Sequence, residues 1–402
     1  MCVIPQLTGE GYGARDIRGN WFYQCRVSEI ACRLLCLKCP IRKYDTRDRN
    51  KPGMVFSSDS CWSRGVKCFV TGASGFIGAN LARDLVQAGH TVRALLRPGA
   101  DLRALDGVDL EQVVGDITDP VDRLQSAMKG CDWCFHVAAS YALWLPDYAP
   151  MYRANVDGTR GVLEAAWKAG CSRIVYTSTV GCIGLPQSKH GEPVVPTDEE
   201  TPVFETQMTN PYKLSKWKAE MVALDLARQG APVVIVNPSA PIGACDVKPT
   251  PTGKIVVDFL NRALPAYLDT GLNFVHVRDV AAGHRLAAER GRIGQRYILG
   301  NAEGNWTLQH ALLVLSELTG IPAPRHQVPY AVALGFAHMN EQWSRWSGQP
   351  PKAPVAGVKM ARYKMWFKPG RAIQELGLPQ TPPREALADA VQWFRSQQMA
   401  RG

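Results

Sequence analysis

Residues 66–240 alternate between two patterns of apolar and polar positions. Short runs of β-branched residues are separated by longer amphipathic stretches, which is the pattern of a parallel sheet with crossover helices. The predicted strands are 66–71, 91–96, 110–114, 133–137, 173–177 and 232–236. The main predicted helices are 75–88, 151–169 and 211–229. Six strands joined by crossovers predict an α/β fold, with a doubly wound parallel-sheet Rossmann domain over residues 66–240.

The pattern changes after residue 240 to Pro-rich loops mixed with helices, which predicts a smaller, mostly helical C-terminal substrate lobe over residues 241–402. Residues 274–300 are expected to return to the Rossmann domain, because two strand-like runs flank a short helix there. The apolar run 328–339 is shorter than the roughly 20 residues that a membrane span needs. We predict a buried helix there, and the alternative is a peripheral contact with a membrane surface.

Residues 1–65 differ in kind from the rest of the chain. They hold 11 Lys and Arg against 6 Asp and Glu, half of the net charge of +10, and six of the 12 cysteines. Cys36 and Cys39 have zinc-ligand spacing, but a second ligand pair is missing, so we expect no metal site. We expect a poorly ordered extension or the product of an upstream start codon, with Met54 as an alternative start.

The remaining residues carry a modest positive charge without a basic stripe interleaved with aromatic residues. This distribution excludes a typical nucleic-acid reader. Residues 1–20 lack the basic start and the apolar run of a signal peptide. We therefore expect a cytoplasmic protein with reduced thiols.

A glycine-rich turn follows the first predicted strand. Gly72, Gly75 and Gly78 are spaced G-x-x-G-x-x-G, and Phe76 with Ile77 opens the first predicted helix. Glycines allow a tight turn and a close approach of the backbone to a ligand, and the helix N-terminus attracts anions. Because the turn lies between a strand and a helix, it predicts a site for the pyrophosphate of a dinucleotide.

The end of the second predicted strand bears on the choice of nicotinamide cofactor. An acidic residue at this point would bind the adenosine ribose of NAD, whereas this chain has Arg97. A guanidinium would pair with the 2′-phosphate of NADP, so we expect NADP. Asp101 lies close behind and keeps NAD as the alternative.

Residues after the third and fourth predicted strands are also expected to line the cofactor. Asp116 and Ile117 are placed to contact adenine, and the alternative for Asp116 is a role at a helix N-terminus. Ala138 and Ala139 have small side chains that would let the cofactor lie close. His136, just before them, is expected to be packed in the core rather than to act in catalysis.

Three residues form the candidate catalytic group. Tyr212 and Lys216 are four residues apart on a predicted helix, which places both side chains on one face. A neighbouring ammonium would lower the pKa of the phenol and assist proton transfer. Thr179 follows the fifth strand at the carboxyl edge, where its hydroxyl could bind the reacting oxygen, with Ser178 as the competing candidate.

The loop after the fourth strand supplies candidate substrate contacts, namely Ser140, Tyr141 and Trp144. Aromatic side chains suit an apolar or ring-bearing substrate. Asn155 is expected to anchor a helix or a water near the site. Three further tryptophans of the second lobe are expected to pack in its core: Trp306, Trp343 and Trp346.

Together, these motifs resemble the extended short-chain dehydrogenases over about residues 66–395. The resemblance is carried by the glycine turn, Thr177-Ser-Thr179, Tyr212 with Lys216, and Asn237-Pro-Ser, whose Pro238 it implies lies against the cofactor. Within that group the chain looks most like the hopanoid-associated sugar epimerases, which are grouped with dihydroflavonol 4-reductases. The segments that carry this closer likeness are 136–144, 248–253, 269–273, 276–284 and 296–300.

The resemblance implies an NAD(P)(H)-dependent enzyme that moves hydride at a carbonyl or alcohol carbon, in bacterial metabolism near hopanoid side chains. Ala244-Cys245 departs from relatives that carry a basic residue for a diphosphate, and Val180-Gly181 replaces the Asp-Glu pair of dehydratases, so we expect no dehydration. The alternatives are a sugar epimerase that retains its cofactor and a non-catalytic dinucleotide-binding protein. We expect a small-molecule substrate, sugar or lipid-linked, and leave homodimer formation open.

Overall fold

The computed structural model describes residues 13–15, 21–23, 65–186 and 193–400. Residues 1–60 form a unit of their own, in which the strands Gly13–Arg15 and Trp21–Tyr23 pair antiparallel. The predictions about Cys36, Cys39 and Met54 lie outside the described residues.

A parallel sheet of seven strands forms the main layer of the second unit. Its strands are β1 (Lys67–Thr71), β2 (Thr91–Leu96), β3 (Glu111–Val114), β4 (Trp133–His136), β5 (Arg173–Thr177), β6 (Val233–Pro238) and β10 (Arg296–Leu299). They lie in the order β10-β6-β5-β4-β1-β2-β3, so the chain changes direction across the sheet between β1 and β4. The predicted doubly wound Rossmann fold is confirmed, and ligands of such sheets bind at the carboxyl ends beside that reversal.

Helices cover both faces of this sheet because successive strand residues point to opposite sides. On one face lie α1 (Phe76–Gln87) and α7 (Val277–Arg290), packed on Cys68 and Val70 of β1. Phe69 faces the other side, which carries the helices α2 (Val121–Ala127), α4 (Gly158–Lys168) and α5 (Pro211–Arg228).

The single helix predicted over residues 151–169 is instead broken. A short helix α3 (Ala149–Tyr152) leads into the wide π turn Arg153–Asp157, and α4 begins at Gly158. Asn155 lies inside the π turn and is 1% exposed. Such turns often mark functional positions, because they redirect a side chain out of the regular helical ladder.

The chain after β6 forms a smaller region with its own core. Four short strands, β7 (Ala240–Ile242), β9 (Gly271–His276), β11 (Asn305–Thr307) and β13 (Lys364–Met365), pair around β9, and β8 (Ala266–Tyr267) pairs with β12 (His326–Gln327). Of residues 274–300, the strand β10 lies in the main sheet, whereas β9 lies in this second sheet.

Helices α6 (Pro251–Leu260), α8 (Leu308–Thr319) and α11 (Pro383–Ser396) enclose the core of this region. Helices α9 (Tyr330–Ser347) and α10 (Val355–Ala361) form a separate pair with a small core of their own. None of the helices within the described ranges is long and apolar enough to cross a bilayer.

Candidate active site

The glycine turn leaves the N-terminus of α1 open toward the carboxyl edge of the sheet. Gly72 has φ +73°, and a Cβ there would lie 2.6 Å from the backbone nitrogen of Ala138. The amide of Gly75 donates to the carbonyl of Gly72 at 3.0 Å, and a Cβ on Gly78 would overlap that carbonyl. Because no side chain caps α1, its first amides are available to a phosphate.

Asp101 and Arg97, the two residues that bear on the ribose of the cofactor, differ in their ion pairing. Asp101 is paired with Arg103 at 2.7 Å, and this contact lowers the pKa of the Asp101 carboxyl to about 2. Arg97 is exposed and has no ion-pair partner in the part of the chain that the structure describes. An exposed guanidinium therefore follows β2, while the nearby carboxylate is already paired with Arg103.

Asp116 holds the turn that follows β3. Its carboxylate accepts hydrogen bonds from the amide and the hydroxyl of Thr118, at 2.9 and 2.7 Å. Since α2 begins only at Val121, Asp116 stabilises the preceding turn rather than capping that helix. Ile117 is half-buried, and its side chain packs against Gly158 at the start of α4.

His136 is packed in the core, as expected. Its ring nitrogens pair with the hydroxyls of Thr71 and Thr159 at 2.8 and 3.0 Å, and the side chain is 0% exposed. Burial lowers the pKa of His136 to about 3, which keeps the imidazole neutral. The Thr71 hydroxyl also accepts from the amide of Ala138 at 3.3 Å, fixing the small-residue loop beside the glycine turn.

Asn155 joins the substrate loop to the candidate catalytic helix. Its side-chain oxygen accepts from the amide of Ser140 at 2.7 Å, and its nitrogen donates to the Ser140 carbonyl and the Ser215 hydroxyl, both at 2.9 Å. All three bonds use protein groups, so the predicted anchoring role concerns the loop and α5. A signal for this pairing is absent from the local sequence, because the partners lie 15 and 60 residues away.

Lys216 lies under the carboxyl end of β5. Asn210 caps α5 by accepting from the amide of Lys213 at 2.8 Å, and the helix carries Lys216 to the carbonyl of Thr177, at 2.8 Å from its Nζ. The ammonium also lies 4.7 Å from the centre of the Tyr176 ring. Burial lowers the pKa of Lys216 to about 8.

The pKa of the Tyr212 phenol differs from the prediction. Burial raises the pKa of Tyr212 above its ordinary value, and Tyr141 and Cys182 raise it further. The predicted lowering by Lys216 is therefore wrong here, because desolvation disfavours the phenolate and the ammonium is engaged with a backbone carbonyl. The ring of Tyr212 packs edge-on against Tyr141, with 4.5 Å between ring centres.

Thr179 and Ser178, the two candidate hydroxyls, differ in their exposure to solvent. Thr179 is half-buried, and its hydroxyl accepts from the amide of Gly181 at 3.2 Å, opening the short helical turn Val180–Cys182. Ser178 is only 5% exposed. The geometry therefore gives Thr179 the hydroxyl that a substrate could reach, beside the N-terminal turn of α5 where Lys213 packs on Gly181.

A buried support beneath Thr179 was missed in the sequence. The amide group of Asn237 donates to the Thr179 carbonyl at 3.0 Å and to the Glu220 carboxylate at 2.9 Å. Glu220 is fully buried, and burial raises the pKa of its carboxyl. Its position four residues after Lys216, on the same face of α5, was the available signal. Pro238, next to Asn237, ends β6 and pairs with β10.

Tyr141 lies beside Tyr212, and of the three distal tryptophans Trp306 packs on the core as predicted, whereas Trp343 and Trp346 do not. Tyr141 is 45% exposed beside the Tyr212 ring, and Trp144 is half-buried in the same loop. Trp343 and Trp346 are 62% and 80% exposed, so their predicted burial is wrong, as is that of the helix carrying them. Trp306 is half-buried and packs against His310.

Comparison with known proteins yields a family model and full-length relatives. The model described as "NAD dependent epimerase/dehydratase family" matches residues 68–300. A "Putative dihydroflavonol 4-reductase" of Synechocystis is 47% identical over 340 residues, covering 83% of this chain and 96% of the relative. "Sterol demethylase protein B" of Methylococcus capsulatus is 33% identical, covering 82% of this chain and 98% of the relative.

A solved structure described as gox2253 has the same fold. It is 42% identical in sequence with a TM-score of 0.73, covering 84% of this chain and all of that one. The predicted resemblance to extended short-chain dehydrogenases of the dihydroflavonol 4-reductase type, and the prediction of a nicotinamide-dependent enzyme, are confirmed.

Proposed function

The chain belongs to the NAD dependent epimerase/dehydratase family, and on that premise we propose that it is an NADP(H)-dependent carbonyl reductase with Thr179, Tyr212 and Lys216 at its centre. The observation that carries the proposal is that the first turns of α5 lie against the carboxyl end of β5. Lys216 there bonds the Thr177 carbonyl, and the half-exposed Thr179 follows two residues later. That end of the sheet also carries the open glycine turn.

In the proposed reaction, Tyr212 donates a proton. A bound nicotinamide cofactor would supply hydride for a carbonyl carbon, and the oxygen anion that then develops would need a proton and hydrogen-bond donors from the chain. A phenol whose pKa is raised holds its proton at neutral pH, and its O–H can pass it to the oxygen. The hydroxyl of Thr179 would donate a second hydrogen bond to the same oxygen.

Lys216 is proposed to position the reaction rather than to create a phenolate. One of its three N–H bonds is directed to the Thr177 carbonyl, which fixes the ammonium at the end of β5. The remaining N–H bonds are available for the ribose hydroxyls of a nicotinamide nucleotide. A buried cation at this point also favours the negative charge that forms on the substrate oxygen.

The proposed preference for NADP rests on Arg97. Among the described residues this guanidinium has no ion-pair partner at the end of β2, and Asp101 is held by Arg103. Gly72, Gly75, Phe76, Ile77 and Gly78 would receive the pyrophosphate. The other proposed cofactor contacts follow the next strands: Asp116, Ile117, Ala138, Ala139, Lys216 and Pro238. Arg97→Ala should weaken NADPH binding about tenfold or more and leave NADH binding unchanged.

For the substrate we propose an apolar, ring-bearing carbonyl compound of polycyclic lipid metabolism, near hopanoid side-chain assembly. The aromatic side chains of Tyr141 and Trp144 support an apolar substrate, and one relative is named for a sterol reaction. Residues 66–240 with 274–300 would bind the cofactor, residues 241–402 the substrate, and residues 1–65 would be an extension to both.

The test is turnover of polycyclic and other apolar ketones with NADPH by the full chain. Tyr212→Phe should lower kcat by about 10²- to 10⁴-fold and leave cofactor binding intact. The matched control is Tyr363→Phe, which removes a hydroxyl from an exposed tyrosine outside the site. Full activity of Tyr212→Phe would remove this residue from the mechanism, and sugar conversion with tightly retained cofactor and no net redox change would identify an epimerase instead.

A further inference from the structure

Helix α9 presents a continuous apolar stripe to solvent. Its large apolar residues recur every three or four positions, so they lie on one face of the helix. The exposed fractions are 62% for Val332, 57% for Phe336, 74% for Met339, 62% for Trp343 and 80% for Trp346. We call these five residues the α9 stripe. A contiguous set of this kind is unusual on a soluble protein and marks an interaction surface.

The rotation of α9 is fixed by its opposite face, so the α9 stripe does not belong to the core. Ala337 is buried against Val355 and Val358 of α10, and Ser344 is also buried. The loop that returns from α9 is tied to it by the amide of Lys352, which donates to the Asn340 side chain at 2.7 Å. The amide of Val355 donates to Glu341, also at 2.7 Å. The helix therefore packs Ala337 with Tyr330 and Leu334 toward α10 and leaves the α9 stripe toward solvent.

The segment of the chain that carries the α9 stripe is strongly basic. Residues 325–368 hold seven Lys and Arg against a single acidic residue, Glu341, whose carboxylate is already used by Val355. Arg345 lies between the two tryptophans in the sequence and is exposed, as are Lys352 in the returning loop and Lys359 in α10. Basic residues around an apolar helix face are the pattern of a helix that lies on an anionic lipid surface.

The aromatic end of the α9 stripe fits the same surface. Trp343 and Trp346 pack edge to face, with 5.2 Å between ring centres, and both remain largely exposed. Tryptophan prefers the boundary between lipid headgroups and acyl chains, where its ring is buried and its N–H stays hydrated. A second copy of the chain is a poorer occupant, because a symmetric pair would bring the same positive charges together.

We propose that the α9 stripe docks on the surface of an anionic lipid bilayer. The α9–α10 pair also contacts the substrate loop, since a Cβ on Gly357 of α10 would lie 3.4 Å from Leu143 in the loop that carries Tyr141 and Trp144. An apolar substrate dissolved in the bilayer would then reach the site around Tyr212 along the substrate loop. The docking itself stands independently of the proposed reaction.

The test is co-sedimentation of the full chain with vesicles, with no cofactor or substrate present. Vesicles of phosphatidylcholine with about 30 mol% phosphatidylglycerol should bind the protein, and pure phosphatidylcholine should bind it much less. The double variant Trp343→Ser and Trp346→Ser should lower binding at least roughly tenfold. Phe204→Ser, which removes a 65% exposed aromatic residue elsewhere, should bind as the parent does.

Several outcomes would overturn the proposal. One is recovery of the parent protein in the supernatant with anionic vesicles, and another is equal sedimentation of the double tryptophan variant. A dimer that the double variant dissociates, without vesicle binding, would assign the α9 stripe to a protein interface. Thermal unfolding of each variant establishes that a loss of binding is not a loss of folding. Retained NADPH binding by the double variant separates a failure here from a failure of the proposed function.

Discussion

Helices α5 and α9 have the same length, 18 residues, and opposite relations between burial and polarity. Half of the eight buried residues of α5 are polar or charged: Lys213, Ser215, Lys216 and Glu220. Helix α9 fully buries only Ala337 and Ser344 and exposes the five large apolar side chains of the α9 stripe. Folding alone favours neither arrangement, because buried charges and exposed aromatic rings both cost free energy.

The two helices differ in whether the rest of the chain compensates these costs in free energy. The charges of α5 are compensated inside the chain, since Lys216 bonds the Thr177 carbonyl and Glu220 accepts from Asn237. The apolar residues of α9 have no compensation within the described residues of the chain. We infer that α5 is shaped for chemistry at its N-terminal turns, and that α9 is shaped for a surface outside the protein.

The largest expected effect comes from removing the buried ammonium of α5. Lys216→Met keeps the length of the side chain and should lower turnover by about 10²- to 10⁴-fold. The pKa of Lys216 is lowered from 10.5 to about 8 in the folded state. Below pH about 8, burial of the charged ammonium therefore lowers the free energy of unfolding of the parent by its full amount. The variant should therefore gain on the order of 1 kcal/mol in the free energy of unfolding at pH 7, after the lost bond to Thr177.

That gain should shrink as the pH rises from about 8 towards 10.5, because the folded parent then loses its proton while the unfolded chain keeps it. Urea unfolding of both proteins across this pH range provides the measurement, and Lys218→Met, on the same helix and more exposed, is the matched control. A variant that is less stable at pH 7 and equally active would contradict the assignment of α5 to chemistry.

The second effect concerns the inward face of α9. Ala337 is 0% exposed in the small core shared with Val355 and Val358. Ala337→Leu should overpack this core and lower the free energy of unfolding by about 1–3 kcal/mol. Ala331→Leu, on an exposed position of the same helix, is the control that should change stability little. Equal stability of the two variants would mean that the orientation given for α9 is wrong.

A smaller effect is expected from the buried carboxyl of α5. The raised pKa of Glu220 means that the folded state favours the protonated acid. As the pH rises above the ordinary pKa of a glutamate carboxyl, the free energy of unfolding of the parent therefore falls. Glu220→Gln keeps an acceptor for Asn237 and removes the charge. Its advantage in the free energy of unfolding should be absent near pH 4 and reach about 1 kcal/mol at pH 7. An advantage that is constant with pH would place its cause elsewhere.

Sequence patterns predicted the sheet well because local rules decide it. The strands 91–96 and 173–177 have the bounds that were predicted, since each is a β-branched run between polar or small residues. The interruption at Asn155 was missed, because 151–169 is helical by every local measure. Its π turn depends on hydrogen bonds to Ser140 and Ser215, which only the folded chain brings together.

The candidate site was only partly predictable for the same reason. Spacing put Tyr212 and Lys216 on one helix face, but the direction of the Tyr212 pKa depends on burial, which spacing does not contain. The support of Thr179 by Asn237 and Glu220 also crosses three elements. Periodicity identified an apolar face near residues 328–339 without telling which side of the helix meets the core.

The smallest expected effect is the sharpest test of what α9 does. If Trp343 and Trp346 contribute to folding, replacing both should cost several kcal/mol, as Trp133→Leu should, since Trp133 is 1% exposed in the main core. If they serve an external surface, the double variant Trp343→Ser and Trp346→Ser should change the free energy of unfolding by less than about 0.5 kcal/mol. Urea denaturation of the three proteins decides between these outcomes. A near-zero cost would mean that the two tryptophans do not stabilise the fold, because rings that stay exposed to water gain no free energy from folding.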